Sequence, residues 1–434
     1  MRELLEALPD IIAQTPTLDD APTDLEVLPP DDDDLIRPHV EEELSLLGHE
    51  GALSNLRTTR LAKHLVWTFG PHHRDIPFML QLRTEIDGDR LVTIDPEIGW
   101  LHQGIEKTLQ SVSYKEGFTL VERLHPGNPV GHTLAWAFAC ERLWGIDSDI
   151  PPACQLWRTA LGELARIHEH LMVLGELSNH YSKRKIFTTF VRAAERILSL
   201  LEVCSFKDGG NILQAIGGLN GAIPESAPEM VEKTLPDIIA PAQKAAQALL
   251  GERAVIDSVI GLGSLSLSDA IGLGITGPAL RACGSDYDTR RYQPYFAFQQ
   301  IDARATKAQG GGILARLTVR AEELQSSMSI ILRALSLMHG LEPAQRSTFS
   351  LFPENSLEPE CPPAGRVTTQ TEVANGALNI FMVSDGSDHP QRVRIHSPSF
   401  SLASGLSQFL SQAHLDHVVP ILRSLGMVGT EMDR

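Results

Sequence analysis

Residues 151–180, "PPACQLWRTALGELARIHEHLMVLGELSNH", carry Leu156, Leu161, Leu164, Ile167, Leu171 and Leu174 at three- and four-residue steps. That period is the signature of a helix with an apolar stripe, which must pack against other elements. Pro151 and Pro152 suit its first turn, where a missing N–H costs nothing. Four more stretches share the period: "HTLAWAFACERLWG", "TTFVRAAERILSLLEVC", "APEMVEKTLPDIIAPAQKAAQALLGERAV" and "GGILARLTVRAEELQSSMSIILRALSLMHG". Asp208-Gly209-Gly210 ends the second of these and Gly340 the last. Pro236 and Pro241 predict a kink or break in the third. Five such helices account for the core, so the fold class is α+β, mainly α, with small β pieces near the N- and C-terminal ends.

The first β piece is a hairpin. "MLQLRTEIDGDRLVTIDPEIGWLHQG" alternates apolar and polar residues on either side of Asp87-Gly88, a turn signal. Leu80, Leu82, Thr84 and Ile86 are expected on one side, facing Leu91, Thr93 and Asp95. At the other end, "ALNIFMVSDGSDHPQRVRIHSPSF" reads as two β runs joined by the turn-rich "SDGSDHP". Residues 1–64 differ from the rest. "PTLDDAPTDLEVLPPDDDDLIRPHVEEELSLL" is rich in Asp, Glu and Pro, which predicts an acidic, disordered arm with a short helix near Glu41–Leu47. A solubilising tail is the expected role, and a docking arm for a basic partner the alternative. The domain division is therefore 1–64 and 65–434.

With 37 basic and 55 acidic residues the chain carries a net charge of −18, which argues against nucleic acid or an anionic membrane as partner. No run of eighteen apolar residues occurs, and the first residues show no secretory pattern, so a cytoplasmic location is expected. Five cysteines are scattered singly without a C-x-x-C pair. Zinc ribbons, cysteine-held iron–sulfur clusters and dithiol redox sites find no support, and isolated buried thiols are expected. Phosphate-loop, serine-hydrolase and zinc-protease motifs are absent. "GGLNG" and "GLGSLSLSDAIGLGITG" lack the strand-then-helix setting of a dinucleotide fold.

Four places hold concentrated polar chemistry. Neighbouring His72 and His73, and His168 and His170 two apart on a helix, point apart and suit single hydrogen bonds rather than a shared metal. Glu163 and Arg166 are spaced for an i, i+3 pair. "ITGPALRACGSDYDTRRYQPY" holds Arg281, Asp286, Asp288, Arg290 and Arg291 beside Tyr287, Tyr292 and Tyr295. Charges so dense beside aromatics predict a buried ion-pair network or a polar cavity. In "ERLHPGNPVGH", His125 and Asn128 stand three apart, the spacing of two ligands converging on one metal. Neither carboxylate nor thiolate accompanies them locally, and asparagine is a poor ligand for transition metals. Pro126 and Pro129 stiffen the loop, so its local chemistry favours a structural role and no metal.

Several of these stretches together resemble the D subunit of respiratory complex I, the quinone-site subunit of NADH–quinone oxidoreductase. That family is homologous to the large subunit of energy-converting nickel–iron hydrogenases. "GPHHRDIPFMLQLRTEIDGDRLVTIDPEIGWLHQGIEK" looks like its opening, and "GWLHQGIEK" is similar to the family's G-Y-L-H-x-G-x-E-K. "GPALRACGSDYDTRRYQPY", "VSDGSDHPQRVRIHSPSF" and the terminal "GTEMDR" are similar to further family runs, and the resemblance covers roughly residues 66–434. It implies a hydrogenase large-subunit-like helical core.

The resemblance also gives "ERLHPGNPVGH" a register. Nickel–iron hydrogenases carry R-x-C-G-x-C at this place and a second cysteine pair at the C-terminus, four thiolates that hold the metals. Here Arg123 matches the arginine, His125 and Asn128 stand at the two cysteine positions, and His132 keeps a downstream histidine. Val428 and Glu431 occupy the C-terminal pair. One histidine and one carboxylate do not replace four soft thiolates, so a nickel–iron centre is disfavoured. The family's quinone-facing tyrosine falls at Pro126 and its quinone-facing histidine at Pro77, while His73 is kept. The resemblance thus implies a cavity lined by His73, Arg123, His125, Asn128, His132 and Glu431, with His125 and Asn128 offering replacement hydrogen bonds to a quinone or another acceptor. It implies no cofactor of the chain's own, an iron–sulfur cluster in a partner small subunit, and membrane subunits that hold this one at the inner face of the cell membrane. Two rivals remain: a coupling subunit with a decayed redox site, and a hydrogenase with unusual ligands.

Overall fold

The helix predicted from residues 151–180 is the axis of the molecule. In a computed structural model it spans Pro152–His180 (α2), with Pro152 in the first turn as its missing N–H requires. The structure describes residues 57–61, 64–70, 76, 78–205, 214–342 and 361–434, all within one unit formed by residues 56–434. Val130–Trp144 (α1) precedes α2, and Arg184–Ser205 (α3), Ala227–Gly251 (α4) and Ile313–His339 (α5) follow. α2 packs against α5, α3, α4 and α1, so it is buried nearly all round. α1 is buried on two sides for a different reason. Val130 and Leu134 join the main core, while Trp136, Cys140 and Leu143 join a second core under the C-terminal sheet. The left-handed Gly145, at φ 73°, ends it.

α4 runs unbroken through Pro236 and Pro241, contrary to the predicted break. Both prolines lie on its exposed face, where the carbonyls they leave without an N–H partner meet water.

Four antiparallel strands, Arg57–Leu61 (β1), His64–Phe69 (β2), Leu80–Asp87 (β3) and Arg90–Glu97 (β4), form the N-terminal sheet in sequence order. β1 falls inside the stretch assigned to the acidic arm, so the strand region begins at least seven residues earlier than the boundary at 64/65, because β1 finds its backbone partners along β2. The remainder of that arm, including Glu41–Leu47, and the stop signal at 208–210 lie outside the described residues. The β3–β4 hairpin turns at Gly88, φ 61°. Its register corrects the predicted alternation: Glu85 pairs with Thr93 but Ile86 with Leu91, leaving Val92 as an extra, bulged residue. The bulge turns Leu91 and Ile94 inward and Thr93 and Asp95 out to solvent.

Gly365–Val373 (β5), Gly376–Ser384 (β6) and Arg392–His396 (β7) form the second sheet, in that order. The last two are the expected β runs, and β5 is an additional one. Val418–Leu425 (α6), which also packs against α2, and the single turn Gly429–Met432 close the chain. Four of the five cysteines, Cys140, Cys154, Cys204 and Cys283, are buried, and Cys361 is exposed.

Gly277 joins the charged stretch 275–295 to the β5–β6 turn. It sits at φ +66°, and a Cβ there would lie 2.5 Å from the Asn375 carbonyl oxygen. Gly277→Ala is therefore expected to destabilise the fold by about 2 kcal/mol or more, from left-handed strain and a backbone clash together. Denaturant titration of the full-length chain checks this, with Gly272→Ala, where nothing lies within 4 Å, as the control.

Candidate functional site

Burying α2 draws its charged residues inside, and each has to find a partner there. Arg158 meets Glu141 of α1 through two bonds, Nη1 to Oε2 at 2.9 Å and Nη2 to Oε1 at 2.8 Å. Glu163 receives Arg290 Nη1 at 2.9 and 3.0 Å, and Arg166 Nε lies 3.4 Å from it. The Glu163–Arg166 spacing is thus more than a helix staple; it is one edge of a larger network. Arg290 also grips Asp288, and Arg281 reaches Glu323 at 2.8 Å and Glu372 at 2.8 Å. His170 Nε2 lies 2.7 Å from Glu323, and its Nδ1 3.1 Å from Arg320 Nη1. Burial holds His170 neutral, lowering it to about 4, with Arg320 and Arg166 adding to burial against the pull of Glu323.

The predicted network of Arg281, Asp286, Asp288 and Arg290 is present, with one correction. Asp286 is exposed and turns to Arg291 and the Tyr292 hydroxyl. Asp288 takes the inward place because its side chain also caps the turn at Thr289–Tyr292 by accepting from the Arg290 N–H.

Against this network lies a cavity of about 40 Å³, lined among others by His125, Asn128, His132, Glu169, Thr371 and Glu431. The 122–132 loop and the C-terminal turn meet there, tied by the Thr430 hydroxyl donating to the Leu124 carbonyl at 2.9 Å. His132 Nε2 lies 2.9 Å from Glu431 Oε1, and both are buried. Ser399 donates a short hydrogen bond to the other Glu431 oxygen, and Ser397 donates to the Glu431 carbonyl at 2.7 Å. Burial works against charge on Glu431, but His132, Ser399 and His125 together hold its carboxyl below the ordinary range.

On the opposite wall His125 Nε2 lies 3.3 Å from Glu169 Oε2, and its Nδ1 accepts from the Asn128 N–H at 3.1 Å. Asn128 Nδ2 donates to the Ala165 carbonyl at 2.8 Å and to Glu169 Oε1 at 3.2 Å. Burial disfavours a charged His125, yet the Glu169 carboxylate raises it to about 9. The Asn128 N–H at Nδ1 favours the neutral ring; a full charge at this distance in a low-dielectric site outweighs one amide dipole. Glu169 in turn is held well below the usual carboxylate range, because His125 and His168 overcome the cost of its burial.

The structure therefore brings His125, Asn128, His132 and Glu431 to one cavity. Arg123 is exposed and stands outside its lining, because the turn Glu122–Leu124 buries Leu124 instead. His73 and Pro77 lie outside the described residues. Glu169 escapes a reading of the sequence: it sits between the two histidines of "RIHEHL", and only the fold turns it toward the 125–129 loop. It also takes up one of the groups expected to serve an acceptor: the Asn128 amide N–H₂ donates to Glu169 and to the Ala165 carbonyl, whereas His125 Nε2 lies 3.3 Å from Glu169 without a hydrogen bond. A cavity of this size takes roughly three waters at 10–15 Å³ each and cannot enclose a quinone ring.

The titrations have a defined sign. A histidine raised from 6.5 to about 9 contributes stability that is complete below pH 6.5 and is lost as pH rises through 9. Glu169 and Glu431, held low, contribute stability that is present above the ordinary carboxylate range and lost as pH falls through their folded values. The melting temperature is thus expected to fall between pH 7 and 10 by an amount worth on the order of 3 kcal/mol. His125→Gln should flatten that alkaline limb and also weaken the acid limb, because Glu169 and Glu431 lose a cation that holds them low.

Residues 183–434 match the family model described as the respiratory-chain NADH dehydrogenase 49 kDa subunit. The first of the NADH-quinone oxidoreductase D subunits of Sorangium cellulosum is 31% identical over 390 residues, covering 85% of this chain and 95% of the relative. The second D subunit of Chloroflexus aurantiacus is 30% identical over 392 residues, with 85% and 94% covered. The D subunit of Myxococcus xanthus is 28% identical over 426 residues, with 92% and 100% covered.

Proposed function

The chain belongs to the family of the respiratory-chain NADH dehydrogenase 49 kDa subunit, the D subunit of complex I, and from that premise we propose that it is the nickel-free subunit of a membrane-associated, complex-I-like redox assembly whose acceptor cavity lies beside a partner's iron–sulfur cluster. Membrane attachment belongs to the partners in this reading; among the described residues no helix is long and apolar enough to cross a membrane.

The observation that carries the nickel-free reading is the donor chemistry where the 122–132 loop meets the C-terminal turn. The four positions supply an imidazole, an amide, a valine and a carboxylate. Nickel in a thiolate-type centre requires soft sulfur donors. His125 and Glu431 are already committed, to Glu169 and to His132 and Ser399 respectively. The residues do not fit a nickel–iron centre, and no step of the reading passes through one.

For a quinone the fit is partial. The enclosed cavity is too small, so an acceptor would stand against the exposed Pro126–Gly127 tip of the loop, with His125 and Asn128 behind it. The commitment of the Asn128 amide to Ala165 and Glu169, with His125 ion-paired to Glu169, favours a second reading, a coupling subunit without redox turnover at this site.

One preparation separates these readings. The assembly is purified through a tag on this chain, reduced with NADH, and assayed for nickel, for the electron paramagnetic resonance of a co-purified iron–sulfur cluster, and for quinone-dependent turnover. The redox reading expects a cluster signal, nickel far below one per chain, and turnover that falls at least tenfold in His125→Ala. A cluster signal with no quinone-dependent turnover, and none affected by His125→Ala, would leave the coupling reading. Stoichiometric nickel would overturn both.

A further inference from the structure

We propose that the cavity between α2 and the C-terminal turn is an internal proton-loading site, in which the His125–Glu169 and His132–Glu431 pairs face each other beside bound water and each hold one proton. The inference goes beyond the redox reading and stands whether or not an acceptor docks at the loop.

The choice of counter-ion is the first support. Glu141, Glu163, Asp288, Glu323 and Glu372 each lie within ion-pair distance of Arg158, Arg166, Arg281 or Arg290. Among the described residues Glu169 and Glu431 form no ion pair with an arginine or a lysine. Their partners are histidines: His125 at 3.3 Å and His168 at 3.4 Å from Glu169, and His132 at 2.9 Å from Glu431. A buried carboxylate without a fixed cation beside it is costly enough that a site takes up a proton instead. Each of these two carboxylates thus calls for a proton shared with its histidine.

The second support is a set of buried polar atoms with nothing to bind. Asn128 Oδ1, His132 Nδ1 and Thr371 Oγ1 belong to cavity-lining residues and find no partner among the described residues. These side chains are at least nine-tenths buried. Three unpartnered polar atoms around a void that takes roughly three waters make a polar, hydrated cavity rather than a dry one. The His125 and His132 rings are 5.6 Å apart, centroid to centroid, which puts the two pairs in direct ring contact beside that void.

The charged surroundings determine how the pairs behave. His125 is faced by Glu169 and His168 from α2, by Glu431 from the C-terminal turn and by His132 from α1, with Arg166 and Arg320 behind Glu169. Removing the proton of one pair leaves net negative charge beside the other, which then binds its own proton more tightly. The two sites are coupled, and their titrations belong to the pair rather than to either histidine.

Nitrogen-15 resonances of the histidine rings in the full-length chain read this directly, with His125 assigned by its loss in His125→Gln. In the wild type the His125 ring is expected to be cationic through neutral pH, with a proton affinity at least 100-fold above an ordinary histidine. Glu169→Gln should remove most of that excess. Glu431→Gln, which does not touch His125, should lower its affinity severalfold. His132→Gln should raise it, because Glu431 is then left without its counter-ion. Opposite signs from the two halves of one pair are not produced by a merely structural disturbance. A His125 ring that is neutral at pH 7, or shifts of one sign from Glu431→Gln and His132→Gln, would overturn the proposal. Should Glu431→Gln fail to fold, the sign of the His132→Gln shift decides alone.

Discussion

The burial of α2 on nearly every side is the constraint from which the rest follows. A helix wrapped by five others and still carrying arginines, glutamates and histidines cannot leave those groups unpaired. Arg158 finds Glu141 on α1, Glu163 finds Arg290 from the 275–295 stretch, and His170 finds Glu323 and Arg320 on α5. Each contact ties α2 to a different part of the chain. The polar interior is thus a set of cross-links between elements far apart in sequence, and breaking one leaves a buried charge rather than a lost surface contact.

The same constraint makes the cavity. Where the 122–132 loop and the C-terminal turn meet α2, the arginine network has ended, and histidines take the place of arginines as counter-ions to Glu169 and Glu431. Arginine keeps its charge under all ordinary conditions, whereas histidine gains or loses it near neutrality. The fold therefore passes from fixed charge to adjustable charge at the place where the 122–132 loop and the C-terminal turn come together. Membership in a family of respiratory-chain NADH dehydrogenase subunits gives that transition its interest.

Much of the fold was legible in the sequence, because periodicity and turn chemistry act locally. The five helices appear where apolar spacing placed them, and Gly88 turns the hairpin where Asp87-Gly88 signals it. The errors came where a distant partner overrode a local rule. The bulge at Val92 reverses the faces of Thr93 and Asp95, and β5, whose "RVTTQTEV" carries β-branched residues at alternate positions, forms along a partner strand beyond the two expected runs. Pro236 and Pro241 did not break α4, because their unpaired carbonyls face water.

By itself the sequence determined the helical class, the family resemblance and the absence of a thiolate set at the loop, since each of these depends on residue type and spacing along the chain. It also placed Arg281, Asp288 and Arg290 in one dense stretch. Only the tertiary structure decided that Asp286 turns outward, that Arg123 leaves the cavity, and that Glu169 enters it. Only the fold set Glu431 against His132, 299 residues apart. Which charges share a low-dielectric interior depends on through-space distance and burial, and neither is written in the local pattern of a chain.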